Sequence, residues 1–182
     1  MKITTNLIKL GSRRQFRFLA LPLAAVTLLT FAPQPVRAGP SYPFKARFIT
    51  EFDVVEESPY LHYTVNGQGI ASYMGPTTAV TTDQMVSMLE GNGTANGTAT
   101  YTLSSASAGV RADTLILAMT FQATNAPGGI TFTGNYTITG GTGRFSGATG
   151  SGFVAGSALL DGPQSGIGSF SLSGGISFGP GD

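Results

Sequence analysis

The residues of this chain that could do chemistry are few and scattered. His62 is the single histidine. An imidazole can act as a base or a metal ligand near neutral pH. His62 stands in the strand-like run Leu61-His62-Tyr63-Thr64-Val65, where a lone histidine is expected on the surface or as satisfied core. There is no cysteine, so neither a disulfide framework nor a thiolate metal site is available. Glu51 and Asp53 are two residues apart, which puts both carboxylates on one face of a strand. Paired carboxylates can share acid–base work, but Arg47 lies on the same face and a solvated strand surface is the expectation. Gly140-Gly141-Thr142-Gly143 has the glycine density of a phosphate cradle. It lacks the following Lys-Ser/Thr, and no helical pattern comes after it. Nowhere do a nucleophile, a base and an orienting group stand together. The sequence thus predicts no catalytic residue, no metal site and no cofactor, and a binding role ahead of an enzymatic one.

Charge divides the chain. Six of the ten basic residues lie in the first 38 positions, and none of the nine acidic residues does. From residue 39 onward four basic residues face nine acidic ones, a net charge of −5. A mildly acidic domain is a poor partner for nucleic acid, whose phosphates call for a basic surface. The first 38 residues have the form of an export signal: a basic start, an apolar run from Phe18 to Phe31, then Val36-Arg37-Ala38 with small residues where signal peptidase needs them. Cleavage after Ala38 would make Gly39 the new N-terminus. The apolar run is too short for the roughly 20 residues of a spanning helix, so no stable membrane span is expected after cleavage. Ser12-Arg13-Arg14-Gln15-Phe16-Arg17 resembles a twin-arginine motif, with Arg17 where that pattern usually has Leu. The expected location is the periplasm or the exterior, by the twin-arginine or the general route.

The elements that would position a site are strands. Phe44, Ala46, Phe48, Phe52 and Val54 alternate with Lys45, Arg47, Glu51 and Asp53, one face packed and one wet. Leu115, Leu117, Met119 and Phe121 share a face, with Ile116 and Ala118 on the other. Ile130, Phe132, Tyr136 and Ile138 alternate with Thr131, Thr133, Asn135 and Thr137. Phe170, Leu172, Ile176 and Phe178 alternate with serines. Thr77 to Leu89 is ambiguous between a strand and a short helical turn. Gly91-Asn92-Gly93 is a hairpin signal, Ser105 to Gly109 a turn, and Asn125 to Gly129 another. Gly140, Gly141 and Gly143 predict a tight turn after Ile138. Gly174-Gly175, inside the last strand, suggests a bend or bulge. About eight evenly spaced strands and no confident helix predict an all-β domain over 39–182. That domain is an antiparallel closed barrel, or alternatively a β-sandwich or jelly roll.

The segment Thr139 to Gly152, TGGTGRFSGATGSG, resembles the GGTGxFxxAxG signature of dirigent proteins and of the allene oxide cyclase barrel group, a segment also carried by many secreted bacterial proteins. Gly67 to Gly75 resembles the G-x-G-x-x-x-x-x-G segment those bacterial proteins have upstream, ending here in Ser72-Tyr73-Met74-Gly75 where theirs reads Thr-His-Leu-Gly. The resemblance favours the barrel over the sandwich and implies that homo-oligomers form. It also implies an alternative function, cyclisation or guided coupling in the cavity, but the matching residues are structural and carry no catalytic residue across. An eight-stranded barrel has room for packed side chains or one small ligand. The leading expectation is a small apolar or aromatic ligand held by Phe132, Tyr136 and Phe170, with Tyr73 as a polar handle and Arg144 as an anion contact at a mouth. The remaining expectation is a filled barrel whose outer Thr, Ser and Asn rows meet a partner.

Overall fold

The computed structural model describes residues 39–57, 59–87, 93–105, 112–127, 129–162 and 164–179. The expected export signal, residues 1–38 with its cleavage residue Ala38, lies outside them, as do Asn92 of the hairpin signal and most of the turn after Ser105.

Eight strands follow one another: β1 (Tyr42–Glu57), β2 (Tyr60–Ala71), β3 (Gly75–Ser87), β4 (Thr94–Ser105), β5 (Thr114–Ala126), β6 (Gly129–Gly141), β7 (Thr149–Leu160) and β8 (Ser165–Ser177). Each pairs antiparallel with the next, and β8 pairs antiparallel with β1, so the sheet closes. Closure satisfies every edge and rules out the sandwich. The period-two patterns land as expected. Phe44, Ala46, Phe48 and Phe52 are buried and point inward, while Lys45, Arg47, Glu51 and Asp53 are exposed on the outer wall. His62 also stands on the outer wall, with its Nε2 3.6 Å from Glu57 Oε2.

The interior is built from rings set opposite glycines. Cross-strand pairs join Phe48 to Gly69, Phe52 to Gly166, Phe121 to both Gly97 and Gly134, Phe132 to Gly156 and Tyr136 to Gly152. A Cβ on Gly97 would run into the Phe121 ring, one on Gly156 into the Phe132 ring and one on Gly166 into the Phe52 ring. A glycine weakens a strand unless something covers its bare backbone. Here a neighbouring ring does so, and the ring gains a flat seat against the wall.

One end of the barrel is filled. Phe44, Leu103, Leu115, Ile138 and Ile176 are buried there, and Phe145 caps them from a single 3-10 turn, η1 (Gly143–Phe145). This turn is where the glycine-rich signature acts. Gly143 has φ 59°, a left-handed conformation that suits glycine. The Thr142 amide donates to the Thr114 carbonyl at 2.9 Å, and the hydroxyls of Thr142 and Thr114 are 2.8 Å apart. The Ala148 amide donates to the Phe145 carbonyl at 3.0 Å. The motif therefore plugs the barrel.

Two expectations change and one ambiguity is resolved. β6 continues through Gly140 and Gly141, so the turn starts at Thr142 rather than Gly140. The extra residue is taken up by a register shift opposite Ile116 and Leu117. β8 keeps an unbroken register with both neighbours across Gly174-Gly175, so no bulge forms there. Gly174 is needed for space, because a Cβ there would lie 2.6 Å from the Tyr136 hydroxyl. The ambiguous stretch after Thr77 is a strand, interrupted between Val80 and Gln84. Thr77, Ala79 and Thr81 pair on the inward side before the break, and Gln84 and Val86 after it. A bulge adds one residue to one strand and shifts the alternation from odd to even positions, which is why no single period fitted.

Gly152→Ala tests the packing rule. The new Cβ would lie 2.7 Å from Gly174 Cα and 2.8 Å from Tyr136 Cε1, so a loss of about 1–3 kcal/mol is expected in urea unfolding. Ser151→Ala on the outer wall should stay within about 0.5 kcal/mol of the parent.

Candidate functional site

The other end of the barrel is open. Among the described residues the ends of β1 and β2, β3 and β4, β5 and β6, and β7 and β8 surround it, and a cavity of about 420 Å³ opens there. That volume falls within the roughly 300–1,000 Å³ of small-molecule sites. The space exists because small residues cluster in this half: Ala95, Gly97 and Ala99 on β4, Gly156 and Ala158 on β7, Gly166 and Gly168 on β8. The rings that would otherwise fill it lie back against their glycines.

The walls are aromatic. Phe52 of β1 packs on Tyr63 of β2 with ring centroids 5.6 Å apart. Phe121 of β5 packs on Phe132 of β6 at 5.5 Å. In an eight-strand ring these two pairs stand on opposite sides. Tyr101 and Phe170 meet at 5.2 Å, and Phe170 rests on Phe48 at 5.0 Å, forming the floor. Every lining residue among those described is uncharged. Polar groups are few: Thr50, Tyr63, Gln84, Tyr101 and, toward the rim, Ser87, Asn125 and Ser157. The Tyr101 hydroxyl donates to Gln84 Oε1 at 2.8 Å. Burial pushes the Tyr101 phenol far above its ordinary pKa and raises that of Tyr63, because a phenolate loses its hydration there. Both phenols stay neutral at any physiological pH. The rim is apolar on one side, where Leu160 is 61% exposed.

Of the five residues expected to meet a ligand, Phe132 and Phe170 line this cavity. The other three lie elsewhere. Tyr136 points inward but sits in the filled half, fully buried, with its ring edge-on to Phe44 at 6.1 Å. Its hydroxyl has no hydrogen-bond partner among the described residues, and burial pushes its pKa up to about 12. Tyr73 is neither pocket nor core. It occupies the β2–β3 turn at the plugged end with φ 65°, 44% exposed, its hydroxyl donating to the Pro43 carbonyl at 3.1 Å and its ring edge-on to Phe178. Arg144 belongs to the plug as well. Its Nε donates to Asp113 Oδ2 at 2.6 Å, and its side chain is 65% exposed. The guanidinium is committed to a carboxylate far from the open mouth.

Sequence reasoning missed Phe52, Tyr63, Gln84, Tyr101 and Phe121 as site residues. Phe52, Tyr101 and Phe121 were legible as inward-facing, but the pattern does not say which half of a barrel is hollow. The bulge in β3 concealed Gln84. Inward glycines on β7 and β8 do not mark the hollow half, because Gly152 and Gly174 lie in the filled half as Gly156 and Gly166 lie in the hollow one; the one available signal was Ala95, Gly97 and Ala99 on β4.

No protein-family model and no curated protein matches the chain. One solved structure found similar is that of the pterocarpan synthase dirigent protein GePTS1. The two share 10% sequence identity, the match covers 82% of this chain and 99% of that one, and the TM-score is 0.48. Independently of that likeness, the strand pairing defines the closed barrel.

Two outcomes follow from the misplaced residues. The Arg144 hydrogen bond holds the Asp113 carboxyl below its ordinary pKa. A carboxylate depressed in the folded state contributes stability above its unfolded value, near about 4, and loses it as pH falls through the lower folded value. Asp113→Asn should therefore be less stable than the parent at pH 7, with the difference shrinking below about pH 4, in urea midpoints taken at pH 7, 4 and 3. Tyr136→Phe removes a buried hydroxyl without a partner and should raise stability by about 1 kcal/mol. A loss of that size would show that the hydroxyl is satisfied.

Proposed function

We propose that the protein is an exported, non-catalytic barrel that holds a small apolar or aromatic molecule in the cavity at its open end. One observation carries this reading: the uncharged, ring-walled lumen of about 420 Å³. Sites for small molecules are mostly apolar with a few placed polar groups, and the lumen has that composition. Opposed aromatic walls give a flat ligand two faces to stack on, and offset or edge contacts between rings add to area burial. The absence of a charged lining group among the described residues favours an uncharged ligand, since a buried unpaired charge is costly. The signal-like first 38 residues support an exported carrier.

A second reading has its own observation. The outer faces of β4 to β8 present mainly Thr, Ser, Asn, Gln and Ala with no charged residue among those described, and Phe153, 69% exposed, stands within them with the exposed Leu159 and Ile167. This favours a wall that meets a partner.

Titration with N-phenyl-1-naphthylamine, a neutral fluorophore that brightens in apolar surroundings, separates the two. The lumen reading expects saturable one-to-one enhancement that falls at least about tenfold in Ala158→Trp, whose indole would occupy the cavity. Unsaturable enhancement, or enhancement unchanged by that substitution while the fold is retained, would remove the lumen reading and leave the wall.

A further inference from the structure

Apart from Thr50 and the exposed Asn125 and Ser157, the polar side chains of the lumen stand on one side. Tyr63, Gln84 and Tyr101 come from the consecutive strands β2, β3 and β4, and Tyr63 is the cross-strand partner of Gln84. Across the ring, β6, β7 and β8 supply Phe132, Ala158, Gly168 and Phe170, which offer no side-chain hydrogen-bonding atom, and the exposed Ser157. A ligand with one polar end would therefore be turned to face β3.

What β3 offers there is set by a single hydrogen bond. Gln84 Oε1 accepts the Tyr101 hydroxyl at 2.8 Å. A carboxamide is rigid and planar, so fixing its oxygen fixes its nitrogen. The nitrogen carries two N–H donors and can accept nothing. It has no hydrogen-bond partner among the described residues. Tyr101 cannot rotate away without losing its seat on Phe170, and it is buried, so the amide is held with its donors available to the lumen. Neither Lys nor Arg lines the cavity among the described residues to neutralise an anion.

We infer that the lumen selects an uncharged aromatic molecule bearing a carbonyl oxygen, which the Gln84 amide nitrogen binds while Tyr101 holds that amide in orientation. This rests on the lumen reading above and adds to it the class of ligand. In this scheme Gln84 is the specificity-determining residue and Tyr101 a positioning residue. Discrimination comes from the ligand: a molecule without the acceptor leaves the amide donors dry and unpaired, and a carboxylate must shed its hydration with no cation to meet it.

The test is displacement of N-phenyl-1-naphthylamine from the full-length protein at pH 7 by three probes of similar shape: 2-acetylnaphthalene, 2-isopropenylnaphthalene and 2-naphthoate. The ketone should displace at a concentration about 3–10-fold lower than the alkene, the range of one net hydrogen bond. The naphthoate should be the weakest of the three. In Gln84→Leu/Tyr101→Phe both partners become apolar together, which avoids leaving either unpaired. There the ketone and the alkene should become equal, with the alkene bound at least as well as before. A purely structural role would weaken all probes alike and leave their ratio intact. Equal binding of ketone and alkene by the parent protein, a ketone preference that survives in the double variant, or naphthoate binding as tightly as the ketone would each overturn the assignment while the lumen reading stands. If the fluorophore itself does not bind saturably, both readings fail together.

Discussion

The pairing of an inward ring with an inward glycine on the next strand is the interaction on which this barrel depends. A ring needs depth, and an eight-stranded lumen is narrow. Phe52, Phe121, Phe132 and Tyr136 fit because Gly166, Gly97, Gly156 and Gly152 have no side chains beneath them. The same arrangement covers backbone that glycine would leave bare and anchors strands rich in residues of low packing value. It explains how a chain with 26 glycines forms a continuous closed sheet.

From that rule follow two different halves. At the plugged end the rings and branched side chains converge from several strands, and Phe145 closes them from η1. The GGTGRF segment holds this plug through the Thr142–Thr114 contacts and the Arg144–Asp113 pair. At the open end the rings lie back and many of the remaining inward positions are Ala or Gly, so the lumen stays hollow. A packed core and a hollow lumen are thereby separated along the barrel axis. Within the lumen the Tyr101 hydroxyl donates to Gln84 Oε1, both groups stay neutral, and the Gln84 amide nitrogen is left without a partner among the described residues. Among the described residues the ionised side chains stand on the outer wall of β1, at the plugged end and, as Asp161, in the β7–β8 connection outside the lumen.

Much of the fold was legible in the residues. Phe44 to Val54, Leu115 to Phe121 and Ile130 to Ile138 each alternate cleanly, because a strand with one dry and one wet face forces period two. The site was less legible. Phe132 and Phe170 were identified as inward and do line the lumen, whereas Tyr136 obeys the same pattern and lies in the filled half. Alternation reports the face of a side chain and carries nothing about depth along the axis. Arg144 and Tyr73 looked like polar handles because polar residues were scarce. Their partners, Asp113 and the Pro43 carbonyl, are about 30 positions away in the chain and became visible only through the fold. Gln84 was concealed by a bulge whose one extra residue inverted the alternation.

By itself the sequence determined every strand but β3, their inward faces and the small-residue positions that rings need, because these depend on neighbours two residues apart. The tertiary structure alone decided closure, which half is plugged, and the meeting of Gln84 with Tyr101 across 17 residues. These depend on register between strands, and register sums small local choices around the whole ring, where one added residue moves every later side chain to the other face.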